Sequence, residues 1–121
     1  MSLETLGGEN KMVSILTSIK KKIGIQADYN HFDDDIIMEI NSAISDLRQV
    51  GVGPSDGFRI YSDLETWTDF LGDSKLLESA KTYIYIKAKL VFDPPTSSFV
   101  IDAMNKRADE ILWRLNVESK T

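Results

Sequence analysis

Asp33-Asp34-Asp35, one residue beyond Phe32 and close to the chain's single histidine, His31, is the densest run of groups able to do chemistry. Three adjacent carboxylates invite a metal reading. They also fit the first turn of a helix, where free N–H groups and the helix dipole favour negative charge. No carboxylate or histidine recurs at a companion ligand spacing, so they are read as helix-start acids and no metal is expected. There is no cysteine, and no serine stands in a nucleophile motif, so His31 has no triad to join and reads as a surface or packing residue. Gly51 to Gly57 lacks the Gly-Lys-Ser/Thr ending of a phosphate loop and the Gly-x-Gly-x-x-Gly fingerprint; it is a turn. Lys20-Lys21-Lys22 spreads round a helix and reads as a solvated helix end, with phosphate contact the lesser option. No catalytic residue, cofactor site or enzymatic activity is expected.

Two features point to contact with other proteins. The segment from Leu76 to Phe92 reads as a helix apolar almost all the way round, with Ala80, Val91, Leu77 and Ala88 within about 40° of Ile84. Its one clean polar wedge is Lys75, Glu78, Ser79, Thr82 and Lys89. Such a helix is expected to be central in a bundle, to face a neighbouring subunit, or both, with more apolar surface than a solitary small domain hides. Lys81 and Lys87 project from within this arc, which Tyr85 borders on one side, and must reach water or a carboxylate. Asp102, Asp109 and Glu110 on the next helix are their candidate partners. Trp113 is the second feature, about 180° from Met104 on the polar side of that helix, where an anchor for a partner would sit. Trp113, Lys81, Tyr85 and Lys87 are therefore the candidate interface residues.

The positioning elements follow from periodicity and breakers. A first helix is expected over Met12–Ile23, with Ile15, Leu16, Ile19 and Ile23 on one face and Gly24 as its stop. A second runs Asp33–Val50 on the stripe Ile36, Ile37, Ile40, Ala43, Ile44, Leu47 and Val50, capped by Gly51. Phe58 to Tyr61 is a short extended segment. Ser62 and Glu65 match a capping box opening a short helix whose face is Leu64, Trp67, Phe70 and Leu71. The fourth helix is expected over Ser74–Phe92 with Asp73 as cap. Asp93-Pro94-Pro95-Thr96 breaks it, and a fifth spans Ser98–Asn116, with Ser97 or Thr96 as its cap and the stripe Val100, Ile101, Met104, Ala108, Ile111, Leu112 and Leu115. The fold class is all-α: about five helices in a compact bundle, a long helix-Pro-Pro-helix hairpin at its centre, and room for one short β element near residues 58–61. Residues 1–10 read as a mobile or tag-derived leader with Met12 as a native start, and residues 11–121 as one domain.

The 121 residues are 42% hydrophobic and 27% charged, ordinary globular values. No run approaches the roughly 20 apolar residues of a membrane span, so no membrane partner is expected. A net charge of −5 opposes autonomous nucleic-acid binding, which depends on neutralising phosphates.

The wording of the sequence carries one resemblance. Val50-Gly-Val-Gly-Pro54 with Gly57-Phe58, Thr66-Trp-Thr-Asp-Phe-Leu71, the tyrosine-rich Lys81 to Ser98 running into Asp93-Pro94-Pro95, and Leu112-Trp-Arg-Leu-Asn116 resemble the head–tail connector proteins of tailed phages, in versions carried by Gram-positive phages and prophages. The resemblance spans roughly Val13 to Asn116. It implies a non-enzymatic structural subunit at the head–tail junction of the virion, present in host cytoplasm before assembly. Copies would form a ring below the portal protein after DNA packaging, extend the channel for double-stranded DNA, and dock the next connector or tail protein. The alternative is a small helical protein-binding adaptor or regulatory module of a prophage.

Overall fold

The computed structural model describes residues 13–120, so the expected leader and Met12 lie outside the described residues. Among them are five α-helices: α1 (Ile15–Lys22), α2 (Asp33–Gln49), α3 (Trp67–Leu71), α4 (Leu77–Phe92) and α5 (Ser98–Glu118). The all-α expectation holds, and the single β feature among the described residues is an isolated antiparallel bridge between Ser14 and Thr66.

α4 is the axis of the bundle, with α5, α2 and α1 packed around it. Leu77, Ala80, Tyr83, Ile84, Ile86 and Ala88 of α4 are buried against Ile36, Ile40, Ala43, Ile44 and Leu47 of α2, Ile15, Leu16 and Ile19 of α1, and Ala108, Ile111 and Leu115 of α5 in one core. Leu76, Tyr85, Leu90 and Phe92 are partly buried against the same core, leaving Val91 as the exposed large apolar residue of this helix. The expectation that α4 carries uncovered apolar surface is therefore corrected: three helices of its own chain enclose it. Among the described residues, exposed large apolar side chains fall on several elements, Met38, Tyr61, Leu64 and Val91 among them, and four of them, Phe99, Val100, Trp113 and Val117, lie on α5.

Several boundaries differ from expectation for identifiable reasons. Ser62 and Glu65 do not open α3. Glu65 instead accepts from the backbone N–H of Tyr61 and Ser62 at 3.0 and 3.2 Å, closing a turn that leaves Leu64 80% exposed. The chain stays extended because Ile15 donates to the Glu65 carbonyl and Trp67 to that of Val13, a pairing with the approach to α1. α3 then starts at a true capping box, Thr66 with Asp69. α4 begins at Leu77 with Leu76 at its N-cap, so Asp73 does not cap it; a turn in which Leu77 donates to the Ser74 carbonyl precedes the helix. α5 is capped by Ser97 as expected but continues to Glu118, and Val100 of its expected stripe is exposed. Residues 58–61 form no strand. Ile60 is held by the side chain of Asn41, which accepts from its N–H at 2.8 Å and donates to its carbonyl at 2.9 Å. One asparagine thus does the pairing that a second strand would do.

The far end of α5 is tied to the end of α2. Ser119 donates from Oγ to the Val50 carbonyl at 2.7 Å. Gly51, at φ 93°, makes this approach possible, because a Cβ there would stand 2.7 Å from that hydroxyl.

Candidate interaction surfaces

The first surface is a groove between α1 and α4, floored by α3. Trp67 is buried there and its Nε1 donates to Ser18 Oγ at 2.9 Å, which fixes the indole beneath α1. Val13, Thr17, Ser18, Ile19, Lys21 and Lys22 form one wall, and Glu78, Lys81, Thr82 and Tyr85 the other. The Lys81 ammonium lies 5.4 Å from the Trp67 ring centroid and 3.8 Å from Glu78 Oε2. Lys22 places its ammonium 5.5 Å from the Tyr85 ring centroid. These are cation–π distances, so both lysines are held at the groove while their charge stays available. The predicted partners of Lys81 on α5 are corrected: Lys81 meets Glu78 of its own helix and the ring of Trp67. Two of the four sequence-predicted interface residues, Lys81 and Tyr85, come together here.

Lys87 sits about 160° round α4 from Tyr85, on the opposite side. Its charge acts on Glu39 of α2, where burial raises the carboxyl above its usual range, Lys87 partly opposes this, and Asp46 adds to it. Tyr83 is buried beside this group and donates to Asp46 Oδ2 at 2.8 Å. Burial first, then this hydrogen bond and the charges of Asp46, Asp109 and Glu39, push the phenol well above its ordinary range. Glu39, Asp46 and Asp109 therefore make an acidic side to the molecule, with Lys87 among them. For Lys87 the electrostatic partner identified is Glu39 of α2, which sequence reasoning did not name.

The third surface is the outer face of α5. Phe99, Trp113 and Val117 are 80%, 67% and 46% exposed. They fall within about 40° of one another round the helix and mark a ridge about 27 Å long, with Lys106 in line between them. Trp113 is on the outside, as expected, but Phe99 and Val117 were not anticipated. Asp102, Asp109 and Trp113, at i, i+7 and i+11, share the edge of this ridge that borders the acidic side.

One residue was misread from the sequence. Lys20 is 2% exposed and is no solvated helix end. Its ammonium pairs with Asp33 Oδ1 at 2.7 Å and donates to the carbonyls of Ala27 and Tyr29 at 3.0 and 2.8 Å. One cation thus ties the end of α1, the following loop and the start of α2. Asp33 is spent on this lock, while Asp34 and Asp35 remain exposed in the first turn. Among the described residues, no group of three or more His, Cys, Asp or Glu is placed to hold a metal ion. His31 is exposed and meets Phe32 edge-on, with centroids 4.7 Å apart.

Compared with protein families, residues 15–121 match that of the phage connector protein. The chain belongs to this family. The match covers all five helices, so the connector assignment rests on the whole described fold and not on one motif. No curated protein and no solved structure matched the connector chain. Family membership points to a structural role in the virion, in contact with other head or tail proteins. Among the described residues of this connector, no helix is long and apolar enough to cross a membrane.

Proposed function

We propose that the chain is a non-enzymatic head–tail connector subunit whose copies form a ring below the portal, extend the DNA channel and present the docking platform for the next connector or tail protein. The observation that carries this reading is the exposed Phe99–Trp113–Val117 ridge on α5. Exposed aromatic and aliphatic groups aligned along a two-faced helix favour burial against another protein, and aromatic anchors dominate such contacts. A ring subunit needs this surface outside a core that closes by itself, and α4 is closed in that way. The net charge of −5 suits a channel wall along which DNA slides without being gripped.

The test is native mass spectrometry of wild type and Trp113→Ala across a concentration series. The expected outcome is a closed oligomer for wild type and an association weakened by about 2 kcal/mol, or ~30-fold, in the variant, with its thermal melt unchanged. An identical oligomer distribution for the two proteins would remove Trp113 from the interface.

A further inference from the structure

The connector carries opposite charge on opposite sides of α4. On one side, Lys21, Lys22 and Lys81 line the α1–α4 groove with a single carboxylate, Glu78, among its lining residues. On the other, Glu39, Asp46 and Asp109 act together on Tyr83, with Lys87 acting on Glu39, and Asp102 extends the acidic edge along α5. Three of the chain's fourteen Lys and Arg side chains, Lys21, Lys22 and Lys81, thus line one concave place.

We propose that the edge Asp102–Asp109–Trp113 of one copy docks into the Lys21–Lys22–Lys81 groove of the next copy. This rests on the self-association reading above and names the two surfaces that meet. A closed ring of identical subunits requires a heterologous contact, in which two different patches of each subunit face one another. The groove, of about 670 Å³, has room for an aromatic side chain at its mouth, where the partly buried Tyr85 ring and the ammonium groups of Lys22 and Lys81 line it above the buried Trp67. The α5 edge supplies the complement, an exposed indole with Asp109 one helical turn away and Asp102 further along the same edge. Lys106 borders this edge on the side away from Asp109. A two-fold contact through α5 would instead set acidic edge against acidic edge, which like-charge repulsion opposes.

Charge exchange tests the docking. Lys21 and Lys22 are exposed, as are Asp102 and Asp109, so the variants Lys21→Glu/Lys22→Glu and Asp102→Lys/Asp109→Lys should keep their circular-dichroism melts. Sedimentation velocity of wild type, each double variant alone, and an equimolar mixture of the two variants is the measurement. The proposal expects wild type to associate, each variant alone to lose at least tenfold in association, and the mixture to recover it. In the mixture, every acidic groove finds a basic edge and every basic groove an acidic edge. Wild type assembling while both variants assemble equally well overturns this docking and leaves the self-association reading intact. Variants that fail alone and also fail when mixed overturn the groove-to-edge pairing. Wild type monomeric at every concentration overturns both readings.

Discussion

At the scale of single residues, the fold depends on a few buried polar contacts. Lys20 is the clearest, because its ammonium satisfies one carboxylate and two carbonyls at once. Lys20→Met keeps the packed stem but leaves Asp33 and both carbonyls without their cation. It should destabilise the protein by about 3 kcal/mol, read as a lower urea midpoint, since breaking one side of such a pair strands the other. Glu39 gives a pH signature. Its carboxyl is raised mainly by burial, so the folded chain holds that proton to higher pH than the unfolded chain does. Stability must then fall as pH rises from the ordinary glutamate range through the raised folded value. Glu39→Gln removes that loss, so the variant should gain on wild type at neutral pH and lose the advantage in acid, a crossover that urea titrations at the two pH values will record. Neither residue announces itself in sequence. Lys20 sits in a lysine triplet whose other two members, Lys21 and Lys22, are exposed, and only the loop folding back through Ala27 and Tyr29 distinguishes it.

At the scale of elements, legibility tracks how local the cause is. α2 was readable because its apolar stripe runs unbroken to Gly51, and its observed span matches to within a residue. The Ser97 cap and the Pro94-Pro95 break were likewise local. The start of α3 was not, because residues 65–67 are held extended by Val13 and Ile15, some fifty positions away in sequence. The same holds for Ile60, whose partner is an asparagine side chain on α2 and not a strand. The sequence showed that α4 is apolar on most sides; it could not show that α1, α2 and α5 close round it. The α4–α5 connection itself gives a test. Replacing Pro94 and Pro95 by alanine should lower stability by about 1–2 kcal/mol with unchanged helix content by circular dichroism, because proline acts chiefly by restricting the unfolded chain.

At the scale of the whole molecule, the core of the described residues closes within one chain, and α5 carries more of the exposed large apolar side chains than any other helix. Sequence reasoning singled out two parts of the candidate interaction surfaces, Trp113 and the Lys81–Tyr85 pair, because each broke the polarity pattern of its helix. It missed Phe99 and Val117, which look like ordinary helix-end residues until the face is assembled in three dimensions. On the proposed reading, a subunit whose core closes by itself and whose α5 presents an apolar ridge stays monomeric when dilute and assembles when concentrated. Duplex DNA offered to the isolated protein at physiological salt should show no retention in a mobility shift, since a net charge of −5 opposes phosphate neutralisation. The most direct measurement for the central claim is electron microscopy of the concentrated wild-type protein, with class averages sorted by symmetry. Closed rings with an open centre are expected; a uniform field of single subunits or two-fold dimers would contradict ring assembly.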